Sequence, residues 1–160
     1  MSALIRKFRQ EDFHGTCLLE LGERGAMYPA SVFIRQASVL YPGTFLVAIE
    51  NGELAGYCIG AVPENSTCEA WILRLRVSLP LRRRHIGSDL LDTLLAEFSR
   101  RGIFVVHLSV APGNTSAQAL YRKFGFVVAA FCKGYFGEGE DRIIMELSNG
   151  SVIRNAIPFR

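Results

Sequence analysis

The run Leu79-Pro-Leu-Arg-Arg-Arg-His-Ile-Gly-Ser-Asp-Leu-Leu91 brings three consecutive arginines, Arg82, Arg83 and Arg84, to a turn that feeds straight into an amphipathic helix. Backbone N–H groups at a helix start are unpaired and point outward, and the helix dipole puts partial positive charge at the same place. Full guanidinium charges beside such a start favour a phosphate compound. The other residue types that could do chemistry give no competing centre. Cys17, Cys58, Cys68 and Cys132 are widely spaced, with no Cys-x-x-Cys pair and no histidine at ligand spacing, so they read as reduced packing residues with no metal site.

Composition narrows the ligand. The chain has 160 residues, 49% of them hydrophobic, and a formal net charge of only +3. That length fills one core and is short for two ordinary domains. The arginines cluster at 82–84 and 100–101 and form no stripe interleaved with aromatics, which favours a compact anion and argues against a nucleic-acid partner. No apolar run approaches the roughly 20 residues that span a bilayer, and Met1 to Gln10 lacks the apolar centre of a signal peptide. The expectation is a soluble cytoplasmic protein with no membrane partner.

The elements that must position this loop follow from periodicity. Leu4 to Arg9 reads as a short edge strand and Gln10-Glu-Asp12 as a helix start, with the helix ending near Leu21. Leu21 to Tyr28, with Gly22, Gly25 and then Pro29, reads as a loop before a second helix from about Ala30 to Leu40. Thr44 to Glu50 and Leu54 to Val62 are strands joined by Asn51-Gly52, the strongest short hairpin signal. Ala70 to Val77 is a third long strand, with Trp71, Leu73, Leu75 and Val77 on one face. From Ile86 the apolar spacing becomes helical through Phe98, with Asp89, Asp92 and Glu97 expected to face away, and Gly102 ends the helix.

Ile103 to Val110 is then a strand. A strand, a helix of about four turns and a strand make a right-handed crossover, so the strands at 70–77 and 103–110 should be parallel. The phosphate loop lies at the carboxyl end of a parallel strand, where α/β folds bind ligands. Thr115 or Ser116 can cap a short helix to Phe124. Phe126 to Tyr135 and Ile143 to Leu147 form a last hairpin, joined by the acidic, glycine-rich turn Gly137 to Asp141.

Three blocks of sequence resemble the GNAT superfamily of N-acetyltransferases. The first, Arg82-Arg-Arg-His-Ile-Gly87, is similar to the pattern Arg/Gln-x-x-Gly-x-Gly/Ala between a strand and a helix. The second is Asn114 followed by Ala119-Leu-Tyr-Arg-Lys-Phe-Gly-Phe126. The third, Lys133-Gly-Tyr-Phe-Gly-Glu-Gly-Glu-Asp-Arg-Ile-Ile-Met145, is similar to the ending of RimI-like protein N-terminal acetyltransferases. The resemblance covers about residues 4 to 147, and it implies an α/β single-domain fold. That fold has a mixed, mostly antiparallel sheet of six to seven strands flanked by about four helices, with one parallel pair splayed for coenzyme A. Residues 1–147 would be the acetyltransferase domain and 148–160 a C-terminal tail.

The resemblance implies acetyl-CoA as co-substrate and no metal. Arg82, Arg83, Arg84, His85, Ile86, Gly87 and Ser88 would hold the pyrophosphate, chiefly through backbone N–H groups. Backbone near Leu75, Arg76 and Val77 would pair with the pantetheine arm and polarise the thioester carbonyl. Asn114 and Tyr121 would meet its far end, with the Tyr121 phenol stabilising the departing thiolate. Two positions depart from the pattern. His85 stands where the family has its first loop glycine. Ser109 stands where RimI-like enzymes often carry a glutamate, and a serine cannot take a proton near neutral pH. Glu69 and His107 are the remaining candidates for the base, and histidine has the better-placed unperturbed pKa.

The resemblance also brings the acceptor in between the connection at 21–28 and the final hairpin, where Tyr28, Tyr135 and Phe136 could grip a peptide end or a small amine. Glu23, Glu138, Glu140 and Asp141 could favour a cationic acceptor. Pro29-Ala-Ser31 lacks the tryptophan of the RimI-like Pro-Trp-Ser segment. Acetylation of a protein or peptide N-terminus leads. The alternatives are a small-molecule amine acetyltransferase and a non-catalytic coenzyme A-binding module, working as a monomer or homodimer.

Overall fold

The Asn51-Gly52 turn closes a hairpin as its sequence demands, since both residues hold positive φ, 53° and 83°. In the computed structural model of the chain, which describes residues 3–21 and 26–148, this hairpin belongs to a seven-stranded sheet. The elements are β1 (Leu4–Lys7), α1 (Phe13–Leu21), α2 (Met27–Leu40), β2 (Phe45–Glu50), β3 (Glu53–Ala61), β4 (Glu69–Val77) and α3 (Ile86–Arg100). They continue with β5 (Val105–Val110), α4 (Thr115–Lys123), β6 (Val127–Cys132) and β7 (Arg142–Ser148). Strand order is β1-β2-β3-β4-β5-β7-β6, mostly antiparallel with one parallel pair, as the sequence and the resemblance imply. The chain divides into two compact units that interleave in sequence, residues 1–61 with 72–101, and 62–71 with 102 onward.

In the first unit, β1, β2 and β3 pair antiparallel and their pleat sorts side chains to two faces. On one face Phe45, Val47, Tyr57 and Ile59 meet Cys17 of α1 and Ile34 and Ala37 of α2. On the other lies α3, whose Ile86, Leu90, Leu91, Leu94 and Phe98 are fully buried. Each such side chain contributes roughly 1.5–3 kcal/mol of transfer free energy. Gly56 and Gly60 of β3 permit that close seat: a Cβ at Gly56 would lie 2.7 Å from the Arg76 carbonyl oxygen and 3.3 Å from Leu90, and one at Gly60 would strike Phe98.

Ahead of α1, Arg6 donates to both carboxylate oxygens of the buried Asp12, at 2.7 and 2.9 Å, and Asp12 also accepts the Arg9 N–H at 2.7 Å. The acidic first turn expected at Gln10 to Asp12 is therefore a short 3₁₀ turn tied back to β1.

In the second unit β7 lies between β5 and β6, antiparallel to both, with His107 opposite Glu146 and Ser109 opposite Ile144. The start of β4 belongs here too, since Cys68 accepts the N–H groups of Phe104 and Val105 at 2.8 and 3.1 Å.

Several boundaries differ from the sequence reading. The second helix starts at Met27, so Tyr28 is helical; Pro29 sits in the first turn, where its missing N–H has no helical partner to lose. Asn114, and neither Thr115 nor Ser116, caps α4. The strand expected to reach Tyr135 ends at Cys132, because Gly134 at φ 61° turns the chain. Glu97 does not face away. It is 8% exposed and paired with Arg100 and Arg101. Burial pushes its carboxyl up, but the Arg101 hydrogen bond and the two cations outweigh that and hold it below its ordinary value. Residues 22–25 of the expected loop, with Glu23, and residues 149–160 of the expected tail lie outside the described residues.

Gly56→Ala is expected to destabilise the protein by about 1–3 kcal/mol, the usual cost of overpacking, because the blocking atom is backbone and cannot rotate away. Urea denaturation should show this as a lower midpoint at unchanged slope.

Candidate active site

Arg83 and His85 both hold left-handed backbone, φ 62° and 64°, with Arg84 between them at negative φ. Alternation of this kind turns successive N–H groups toward one side and makes a concave anion nest. It leads directly into α3, whose N-cap is His85 itself, and the first helical bond runs from the Asp89 N–H to the His85 carbonyl at 2.9 Å. The N–H groups of Arg83, Arg84 and His85 have no hydrogen-bond partner among the described residues, and those of Ile86, Gly87 and Ser88 fall in the unpaired first turn. None of these six donors has a protein acceptor among the described residues. This arrangement suits a diphosphate.

The three arginines have different surroundings. Arg82 bends back so that its Nε donates to the Val77 carbonyl at 3.4 Å, tying the loop to the end of β4. Arg84 lies 3.1 Å from the carboxylate of Glu50, whose side chain is 9% exposed, so this cation is spent largely on holding the loop against β2. Arg83 and His85 are exposed, and the His85 imidazole makes no capping bond. Leu75 and Val77 of β4 are half-buried, Arg76 is exposed, and Tyr28 stands in the first turn of α2 with 78% of its surface open.

The second unit gathers both base candidates. His107 is buried, and its two ring nitrogens lie 3.7 Å from a carboxylate oxygen of Glu69 and 3.9 Å from one of Glu146, beyond direct hydrogen-bond length. The Trp71 ring is 5.2 Å away. Burial pushes the imidazole pKa down, the charges of Glu146 and Glu69 oppose it, and the net displacement is downward, so the ring is neutral at pH 7. Neutral imidazole has a lone pair for a proton. Glu69, with 34% of its side chain exposed against 21% for Glu146, is the carboxylate of the group more open to solvent.

Asn114 spends its side-chain oxygen on the Ala117 N–H at 3.2 Å, which starts α4. One turn on, buried Gln118 donates to the carbonyls of Ala111 and Pro112 at 3.2 and 2.8 Å, fixing the approach to Asn114. Tyr121 is buried on the same helix, its ring 5.7 Å from Phe126. Tyr135 and Phe136 are exposed and pack edge to face at 4.8 Å in the turn after β6, with Arg142 4.9 Å over Phe136.

Glu146 and Gln118 escape a sequence reading. Glu146 is one polar residue between Met145 and Leu147, and only strand register sets it opposite His107. Gln118 has the spacing of an ordinary helical surface residue. Among the described residues no group of three or more His, Cys, Asp or Glu could hold a metal, and no helix is long and apolar enough to cross a membrane. The cysteines are free; burial raises the pKa of Cys17 and of Cys58, which fits packing and not nucleophilic chemistry.

Comparison with known proteins agrees with the geometry. Residues 4–126 match the acetyltransferase (GNAT) family. The chain is 29% identical over 143 residues to an uncharacterised N-acetyltransferase of Methanocaldococcus jannaschii, covering 89% of each chain. It is 34% identical over 101 residues to the [ribosomal protein bS18]-alanine N-acetyltransferase of Escherichia coli K12, covering 61% of this chain and 66% of that one. The crystal structure of Ard1 from Thermoplasma volcanium superposes with a TM-score of 0.84 at 25% identity, covering 94% of this chain and 100% of that one.

Two outcomes are expected. His85→Gly relieves a left-handed non-glycine residue and should raise stability by about 1 kcal/mol, seen as a higher thermal midpoint. His107, with its pKa depressed in the folded state, contributes stability that is complete above the ordinary value of 6.5 and is lost as pH falls through the folded value. Denaturation of the wild type between about pH 7 and 5 should show that loss, and His107→Gln should lessen it.

Proposed function

Because the chain belongs to the acetyltransferase (GNAT) family and so transfers acetyl from acetyl-CoA, we propose that its acceptor is the α-amino group of a protein or peptide N-terminus. The observation that carries this reading is the base. Of its two candidates, His107 is buried and held below its ordinary pKa by that burial, which makes it a weaker base than a free imidazole, and Glu69, 3.7 Å from it, has 34% of its side chain exposed. An α-amine with pKa about 7.7–8.0 is already roughly 10% neutral at pH 7, whereas a lysine with pKa about 10.4 is neutral in only a few parts in ten thousand. A modest base therefore suits an N-terminus. The name of the Escherichia coli relative, a [ribosomal protein bS18]-alanine N-acetyltransferase, supports the same acceptor class.

The nest at Arg82 to Ser88 holds the coenzyme pyrophosphate, and backbone N–H groups around Leu75 to Val77 polarise the thioester carbonyl. The acceptor nitrogen attacks that carbonyl carbon, the carbon–sulfur bond breaks, and the amine proton passes to Glu69 directly or through water, with His107 behind it. Tyr121 hydrogen-bonds the departing thiolate, because an ordinary phenol is a weaker acid than an ordinary thiol and does not readily give it the proton. Asn114 positions the pantetheine end, and Tyr28, Tyr135 and Phe136 contact the acceptor. Residues 1–147 form the catalytic domain, acting in the cytoplasm.

Tyr121→Phe should lower kcat severalfold or more while the KM for acetyl-CoA changes little, measured by thiol release; an unchanged kcat removes Tyr121 from the chemistry. In the same assay, peptides with free N-termini should be acetylated with higher kcat/KM than polyamines or free amino acids, and the same peptides with blocked N-termini should be inert. Free small amines outperforming every peptide would overturn the acceptor assignment.

A further inference from the structure

β4 carries two arginines, Arg74 and Arg76, on either side of Leu75, and both turn to one carboxylate. Arg74 Nε donates to Glu20 Oε1 at 2.9 Å, and Arg76 Nε lies 3.0 Å from Glu20 Oε2. The Tyr57 hydroxyl donates to the same carboxylate. Glu20, on the last turn of α1, is 9% exposed in its side chain, while the arginines are 42% and 43% exposed. The Arg74 guanidinium also lies 4.9 Å over the Phe33 ring of α2. Two cations and one anion leave one positive charge uncompensated.

The geometry of the contacts shows where that charge is available. Both arginines use Nε, the inner nitrogen. The Nη1 of Arg74 donates to the Leu73 carbonyl at 3.1 Å, while its Nη2 and both Nη atoms of Arg76 have no partner among the described residues. A guanidinium held rigidly from behind, with its outer edge in solvent, is preorganised to take a carboxylate through two parallel hydrogen bonds. A structural role alone would be met by one arginine against Glu20. The acidic turn expected to draw a cationic acceptor is meanwhile largely occupied: Asp141 accepts the Gly134 N–H at 2.8 Å and Glu140 pairs with Arg142 at 2.8 Å.

We infer that Arg74 and Arg76, braced by Glu20, recognise a carboxylate on the acceptor a few bonds from its reacting amine. The inference rests on the proposed acetyl transfer, because Leu75, between the two arginines, belongs to the backbone assigned to the thioester carbonyl. Two sources share this chemistry: an acidic side chain immediately after the N-terminal residue of a peptide, and the carboxylate of a free amino acid.

The test compares otherwise identical peptides beginning Ala-Asp, Ala-Asn and Ala-Lys, together with free aspartate and a polyamine, by thiol release with the full chain. The wild type should prefer Ala-Asp over Ala-Asn by roughly ten- to hundredfold in kcat/KM, the range for a hydrogen bond to a charged group. That ratio should fall toward one in Arg74→Gln/Arg76→Gln. Because this double variant leaves Glu20 buried without a cation, Glu20→Gln/Arg74→Gln/Arg76→Gln serves as a neutral second background, with the ratio taken within each protein. A wild-type ratio near one, or a high ratio that survives in both variants, overturns the inference. Turnover of free aspartate with no turnover of any peptide would overturn the N-terminal acceptor and uphold carboxylate recognition. Turnover of the polyamine alone would overturn both.

Discussion

The seat of α3 on β3 is the contact from which the arrangement of the arginine loop and its helix start follows. Leu90, Leu94 and Phe98 reach the strand only because Gly56 and Gly60 offer no side chains there. Once the apolar stripe is buried, the helix axis is fixed, and so is the direction in which its unpaired N–H groups point. The left-handed residues Arg83 and His85 then bend the preceding chain so that three more donors join the same set. A site of this kind depends on backbone direction, and so tolerates histidine where glycine would be easier, at a cost of about 1 kcal/mol in local strain.

The polar groups that are buried divide into those that hold the fold and those the fold does not need. Asp12 with Arg6, and Glu97 with Arg100 and Arg101, are paired completely and serve as struts. Gln118 ties down the approach to α4. His107 is different, since it satisfies neither ring nitrogen with a direct hydrogen bond while two carboxylates stand just beyond reach. An unsatisfied buried polar group costs about 1–3 kcal/mol, and an apolar residue of similar shape would avoid that. A neutral imidazole with no direct hydrogen bond at such a place is what a role in proton transfer would require. Glu20 likewise does more than close a pair, because it organises two guanidiniums and a phenol whose pKa is raised by burial and then by the carboxylate's own charge.

Most elements were legible in the sequence because their signals are local. Asn51-Gly52 specifies its turn, the apolar spacing from Ile86 to Phe98 specifies a helix, and the alternation of strand and helix around the loop specifies a crossover. Boundaries failed where a weak local signal competed with a tertiary one. Pro29 looked like loop punctuation, yet proline is tolerated in a first helical turn, and packing of Ile34 and Ala37 drew the helix back to Met27. Glu97 looked like a solvent-facing charge, yet two arginines of the last turn fold over it. Asn114 was read for ligand contact alone, and its oxygen is also the cap of its helix.

The sequence by itself determined the chemistry on offer: consecutive arginines at a helix start and, separately, the spacing of Asn114 and Tyr121 along α4, all readable because they lie within a few residues of the elements that present them. Only the tertiary structure decided which charged groups face one another. It assigned Arg84 to Glu50, set Glu146 across from His107, and turned Arg74 and Arg76 toward Glu20. Each of these pairings joins residues tens of positions apart, and each depends on strand register or on which helix packs above a strand. A shift of one residue in register would face the strand members of these pairs, Glu50, Arg74, Arg76, His107 and Glu146, the other way, so no local pattern could have specified them.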